Sequence, residues 1–168
     1  MLKNKIFLGV LAGLSATIAK DAVNQTLYSL NIVKILFAQY AAGVFINAIE
    51  TNSLLGIIIG YFVDFGLSAL LGIIFVFLLE KTKPKHIVFQ GFIFGSALYL
   101  GVYGALLAMH ISSVNERKPV DVVLMILCHL IFGLTMGLFV QRFGKNFLVL
   151  PVANVRNSVG VKERDFRK

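Results

Sequence analysis

Charge is scarce in this sequence. Asp, Glu, Lys and Arg make up only 14% of its 168 residues, while 58% are hydrophobic. A soluble domain needs about a quarter charged residues to cover its surface, so this composition points away from one. Cysteine is nearly absent. Cys128 stands alone inside an apolar run, so no intrachain disulfide can form and no oxidising compartment is implied. Signatures of catalysis and nucleotide binding are missing as well. There is no Walker loop, no H-E-x-x-H, no dinucleotide fingerprint and no zinc-ligand spacing. No enzymatic activity, cofactor or metal is expected.

What is present is long apolar runs. Stretches at about 6–30, 53–79, 87–110 and 120–140 each reach the roughly 20 residues that cross a hydrocarbon core. The first follows Lys3 and Lys5 and so imitates a signal peptide. It has no small-x-small cleavage site followed by a soluble domain, and is read as a retained helix. The expected fold is all-α, a polytopic membrane protein with four transmembrane helices in residues 1–141 and a basic tail over 142–168.

The basic residues follow a membrane logic rather than a nucleic-acid one. Twelve of the sixteen Lys/Arg fall at the N-terminus (Lys3, Lys5), in the second loop (Lys81, Lys83, Lys85) or in the tail from Arg142 to Lys168. The opposite loops carry only Lys34, Arg117 and Lys118. That bias sets both termini in the cytoplasm. The lipid bilayer is the expected partner, with a homo-oligomer or a membrane-protein partner open beside it, and no nucleic acid.

The runs also repeat. "FLGVLAG" (7–13) and "FQGFIFG" (89–95) both read F-x-G-x-x-x-G. "DFGLSALLGIIF" (64–75) and "HLIFGLTMGLFV" (129–140) align Asp64 with His129, Ser68 with Gly133 and Gly72 with Gly137. Two parallel helical hairpins are expected, about 5–80 and 86–141. Gly9, Gly13, Gly56, Gly60, Ser68, Gly72, Gly91, Gly95, Gly133 and Gly137 form stripes of small residues at which helices pack closely. The first hairpin has an excess segment, 31–50, apolar but broken by Lys34 and Gln39. It is short for a crossing and would invert the charge bias, so it is expected as an interfacial or re-entrant helix on the outer side.

Helical rise places Lys20, Asp64 and His129 within about 2–5 Å of the bundle middle, all displaced outward, with Asp21 and Asn24 just above. Each shares a stripe with small residues, so these groups face other helices, and Asp64 is expected to meet Lys20 or His129. An unpaired ion there costs at least about 2.5–3.5 kcal/mol. The layer Lys20, Asp21, Asn24, Asp64 and His129 is therefore either a structural ion-pair clamp or an ion or proton site. A Ser68–His129 dyad has no oxyanion-hole motif beside it, and Cys128 points about 100° away from His129 on a helix.

At "FLGVLAG" and "CHLIFGLTMGLF" the chain resembles small four-helix bacterial inner-membrane proteins of unknown function, loosely the YagU-type. The resemblance covers most of residues 5–141. It implies a multi-pass protein of the bacterial cytoplasmic membrane with at most a loose link to stress physiology, and it brings no established site. The expected role is a non-catalytic membrane scaffold or accessory subunit. The alternative is a small oligomeric ion or proton channel or transporter using Lys20, Asp64 and His129. The inner half of the helix faces is mostly Gly, Ala, Leu and Phe, which argues against a wide aqueous pore.

Overall fold

The computed structural model describes residues 2–82, 85–114 and 118–144. Lys83, Arg117 and the tail from Lys145 to Lys168, on which part of the charge argument rests, lie outside the described residues. The fold is all-helical: α1 (Leu2–Ser29), α2 (Phe37–Ala42), α3 (Leu54–Thr82), α4 (Ile87–Ala97), α5 (Gly104–Ala108) and α6 (Pro119–Phe143). Three of these, α1 over Asn4–Ser29 with α3 and α6, are long and apolar enough to cross a membrane. Large apolar side chains cover the outside of the bundle, among them Phe7, Leu54, Phe62, Phe89 and Leu100. In water that surface would be strongly unfavourable, whereas hydrocarbon accepts it, and the chain has multi-pass membrane character.

The fourth apolar run departs from regular α-helix. After Ala97 the backbone winds as a π-helix over Leu98–Tyr103 before returning to α in α5, and the apolar stretch Ile87–Tyr103 is shorter than the other three. A π-helix is a wide, uncommon turn that shifts the facing of every later side chain.

Local chemistry ends the helices. α1 stops at Asn31, which adopts left-handed backbone at φ 57°. The Ile32 N–H donates to the Leu27 carbonyl and the Asn31 N–H to that of Tyr28, the paired closure of a Schellman motif. α6 starts with Pro119, where no donor is missed, and the Lys118 N–H donates to Asp121 Oδ2 at 2.9 Å.

α1 packs against α3 and α6, and α4 packs against α6, while α3 and α4 meet only marginally. The helices thus form an open arc in the order α3, α1, α6, α4. Lys5 pairs with Glu80, and a methyl added to Gly144 would touch Leu8, so the start of α1 and the ends of α3 and α6 lie together. Toward that end the interior is a dry core of Leu8, Ala12, Ala16, Phe75, Val76, Leu79, Met136 and Val140.

Glycine sets the helix contacts. A methyl on Gly13 would strike the Ser68 carbonyl, and one on Gly72 would strike Gly9 and Gly13 backbone. In the α4–α6 pair, a methyl on Gly95 would strike the His129 carbonyl, and one on Gly133 would strike Gly91 and Gly95. By packing, Gly133 therefore stands where Gly72 does, and His129 where Ser68 does. That register lies one helical turn from the alignment of Asp64 with His129 that the sequence suggests.

The segment 31–50 turns back toward the bundle. Its helix α2 has only six residues, about 9 Å of rise, too short to cross a membrane. Phe37, Ala38, Gln39, Tyr40 and Ala42 are buried, and Gly60 of α3 lies so close that a methyl there would strike the Ala38 carbonyl. Gly56, one turn earlier, sits in the same way against the Glu50 carbonyl. So short a helix cannot satisfy its own first donors. Asn24 Oδ1 accepts from the Phe37 N–H at 2.9 Å, Gln39 Oε1 accepts from the Leu36 N–H at 2.6 Å, and Gln39 Nε2 donates to Asn52.

Candidate functional site

α1 and α3 bring opposite charges together. Lys20, 4% exposed, donates through Nζ to Asp64 Oδ2 at 2.6 Å. A second carboxylate joins it, with Asp21 Oδ1 2.9 Å from the same Nζ. The ammonium also lies 4.2 Å from the centroid of the Phe37 ring, whose face attracts a cation. One positive charge thus serves two negative ones, and the cluster keeps one negative charge in excess. Beyond the ion pair with Lys20, the buried Asp21 oxygens have no hydrogen-bond partner among the described residues.

Of the two partners expected for Asp64, the structure brings Lys20. His129 is held elsewhere. Its Nδ1 lies 2.9 Å from the Met125 carbonyl, one turn earlier on α6. A carbonyl only accepts, so Nδ1 carries the proton and Nε2 is left as the ring's acceptor. Three aromatic rings enclose the imidazole: Phe37 at 5.5 Å, Tyr99 at 5.3 Å and Tyr103 at 5.2 Å between centroids. Asn24 belongs to the hydrogen bonding of α2 rather than to the ionic cluster. Ser68 is buried one turn from Asp64, and Cys128 lies in the apolar cluster with Phe37, Tyr40 and Met125.

Between these groups is a cavity of about 140 Å³. Its lining includes the polar Lys20, Asp64, Ser68, Ser112 and His129, the aromatic Phe37, Tyr40, Tyr103 and Phe132, and aliphatic side chains from α2, α3 and the π-helical turn, among them Leu67 and Val102. It fills the gap between α3 and the π-helical turn, where the arc of helices stays open. Phe75 and Phe94, 5.1 Å apart, close the same gap toward the Lys5–Glu80 end.

Phe37, Gln39 and Tyr40 escape a reading of the sequence as a site because 31–50 is expected as an interfacial or re-entrant helix on the outer side, and Asn52 follows just beyond it. A usable signal was Gln39, an uncharged amide in an apolar run, which implies a buried polar partner. No group of three or more His, Cys, Asp or Glu that could hold a metal occurs among the described residues. The comparisons return no match among curated proteins and none among solved structures. The model of a family of unknown function, DUF6789, matches residues 3–148, nearly the whole chain, and the protein belongs to that family.

Proposed function

We propose that this protein is a non-catalytic scaffold or accessory subunit of a bacterial cytoplasmic membrane, spanning it four times with both termini inside. The fourth span is the run from Ile87 to Ala108, where helical backbone continues through the π turn. The matched glycine contacts of α1–α3 and α4–α6 support two parallel hairpins, and α2 is a re-entrant plug between them. Non-helical backbone at membrane depth is tolerated where protein buries it, as around α2.

One observation carries the scaffold reading: directly below the Lys20–Asp64 pair the bundle is closed. Ala12, Ala16, Phe75, Val76, Met136 and Val140 are each fully inaccessible and interlock across α1, α3 and α6. An ion moving along the bundle would have to cross that layer without a polar ligand. The ion pair then acts as a clamp, since displacing α1 from α3 leaves buried charges unpaired.

The second reading, an ion or proton site, is favoured by the cavity that reaches Lys20 and Asp64 and by the buried Asp21 carboxyl, whose partner among the described residues is the Lys20 it shares with Asp64. Reconstitution separates the two. In proteoliposomes carrying a pH gradient, proton leak should equal that of protein-free vesicles, and Asp64→Asn should not change it. A leak above background that Asp64→Asn abolishes would establish the transport reading instead.

A further inference from the structure

The cavity has a polar floor and an apolar mouth, and the mouth faces sideways. Leu67 and Val102, which flank it, are 43% and 45% exposed on the outer face of the bundle. A molecule dissolved in the bilayer can enter there without crossing water. At about 140 Å³ the space matches a cavity that takes one benzene-sized ring, and Phe37, Tyr40 and Tyr103 supply ring faces and edges to pack it.

Charge and hydrogen bonding narrow the head group. An acyl chain end would leave the polar side chains of Ser68 and His129, which line the cavity, against methyl groups, an unfavourable exchange. A carboxylate would meet Asp64, whose one cationic neighbour on the floor, Lys20, is already paired with it. An ammonium would meet Lys20, which already lies over the face of Phe37. A neutral hydroxyl on a ring avoids all three. It can donate to His129 Nε2, whose acceptor state follows from the Nδ1–H bond to Met125, and its oxygen can accept from donors on the same floor.

We infer that the gap between α3 and the π-helical turn binds a lipophilic phenol or hydroquinone, with its hydroxyl on His129 Nε2 and its apolar tail leaving between Leu67 and Val102. The inference concerns binding only, and it stands whether the ionic layer is structural or carries protons.

The test uses the full chain in nanodiscs, titrated with para-octylphenol, its methyl ether para-octylanisole, and octyltrimethylammonium. Binding is followed by calorimetry and by the ligand-induced rise in unfolding temperature. The phenol should bind at least about tenfold tighter than the ether, because a site built around a hydroxyl rejects the analogue that cannot donate. His129→Phe keeps an aromatic ring among Phe37, Tyr99 and Tyr103 but removes the acceptor, so the ratio should collapse to about one. Leu67→Trp at the exposed mouth should weaken phenol binding about tenfold by filling the space through which the bound tail leaves. Equal binding of phenol and ether by the unmodified protein overturns the inference, as does tighter binding of the ammonium. A ratio that survives His129→Phe does the same. Should His129→Phe fail to fold, the ratio in the unmodified protein and the Leu67→Trp result decide between binding in the cavity and partition into lipid.

Discussion

Lys20 contacts two carboxylates, whereas Asp64 contacts one ammonium, so the two ends of the ion pair are not equivalent. Removing Lys20 strands Asp21 and Asp64 together, while removing the Asp64 charge leaves Lys20 still beside Asp21. Lys20→Met should therefore cost about 3–5 kcal/mol in detergent unfolding, and Asp64→Asn a smaller amount, about 1–3 kcal/mol. Combining Lys20→Met with Asp64→Asn should recover stability only in part, because Asp21 stays charged and unpaired. Adding Asp21→Asn should recover most of the rest, and a triple variant no more stable than Lys20→Met alone would refute the charge accounting. That Asp64 meets a partner from Lys20 or His129 was legible in the sequence, because depth along a helix follows from residue number and small-residue stripes give the face; that the partner is Lys20 is read from the structure. The retirement of His129 from the ionic layer was not. Its partner is a backbone carbonyl of its own helix, which every helical histidine has within reach.

Gly60, Gly66 and Gly133 all lie in long apolar helices, yet their surroundings differ. A methyl on Gly60 would strike the Ala38 carbonyl and one on Gly133 would strike Gly91, but nothing lies within 4 Å of one on Gly66. Backbone cannot swing aside as a side-chain tip can. Gly60→Leu and Gly133→Leu should each destabilise by about 3 kcal/mol or more, beyond ordinary overpacking, while Gly66→Leu should stay within about 0.5 kcal/mol. Thermal unfolding and size-exclusion profiles in detergent would show the contrast, and equal tolerance at all three positions would mean that these helices do not pack as described. At this scale the long helices were readable from run length, and the packing faces from glycine spacing. The one-turn register difference between the pairs was not, because either alignment presents glycine every four residues. A helix within 31–50 was expected, but its seat was not legible, because Asn24, Gly60 and Asn52 come to it from elsewhere. The π turn at "LYLGVY" carries no mark in composition.

The whole molecule has two ends with different chemistry, and labelling can assign them. In a Cys128→Ala background, single cysteines at Lys81 and Lys85 should react only after the membrane is opened, and those at Asn47 and His110 from outside. All four positions are exposed. The expectation rests on the basic bias toward the Lys81–Lys85 end, and labelling of Lys85 from outside would reverse it. Three long apolar helices were legible in run length. The open arc was not, since it depends on which helices fail to touch. α2 has a further consequence for how the chain is made. Ala38 leaves the ribosome well before Gly60, a wait of about one to four seconds at ordinary synthesis rates. During that time α1 can already be in the bilayer, but the segment behind it has only Asn24 to meet and no wall to lean on. Its contact with Gly60 forms only when α3 arrives. The seat of α2 is therefore incomplete until α3 and α6 have both been made, since Gly60 lies against Ala38 and Met125 and Cys128 pack with Phe37 and Tyr40.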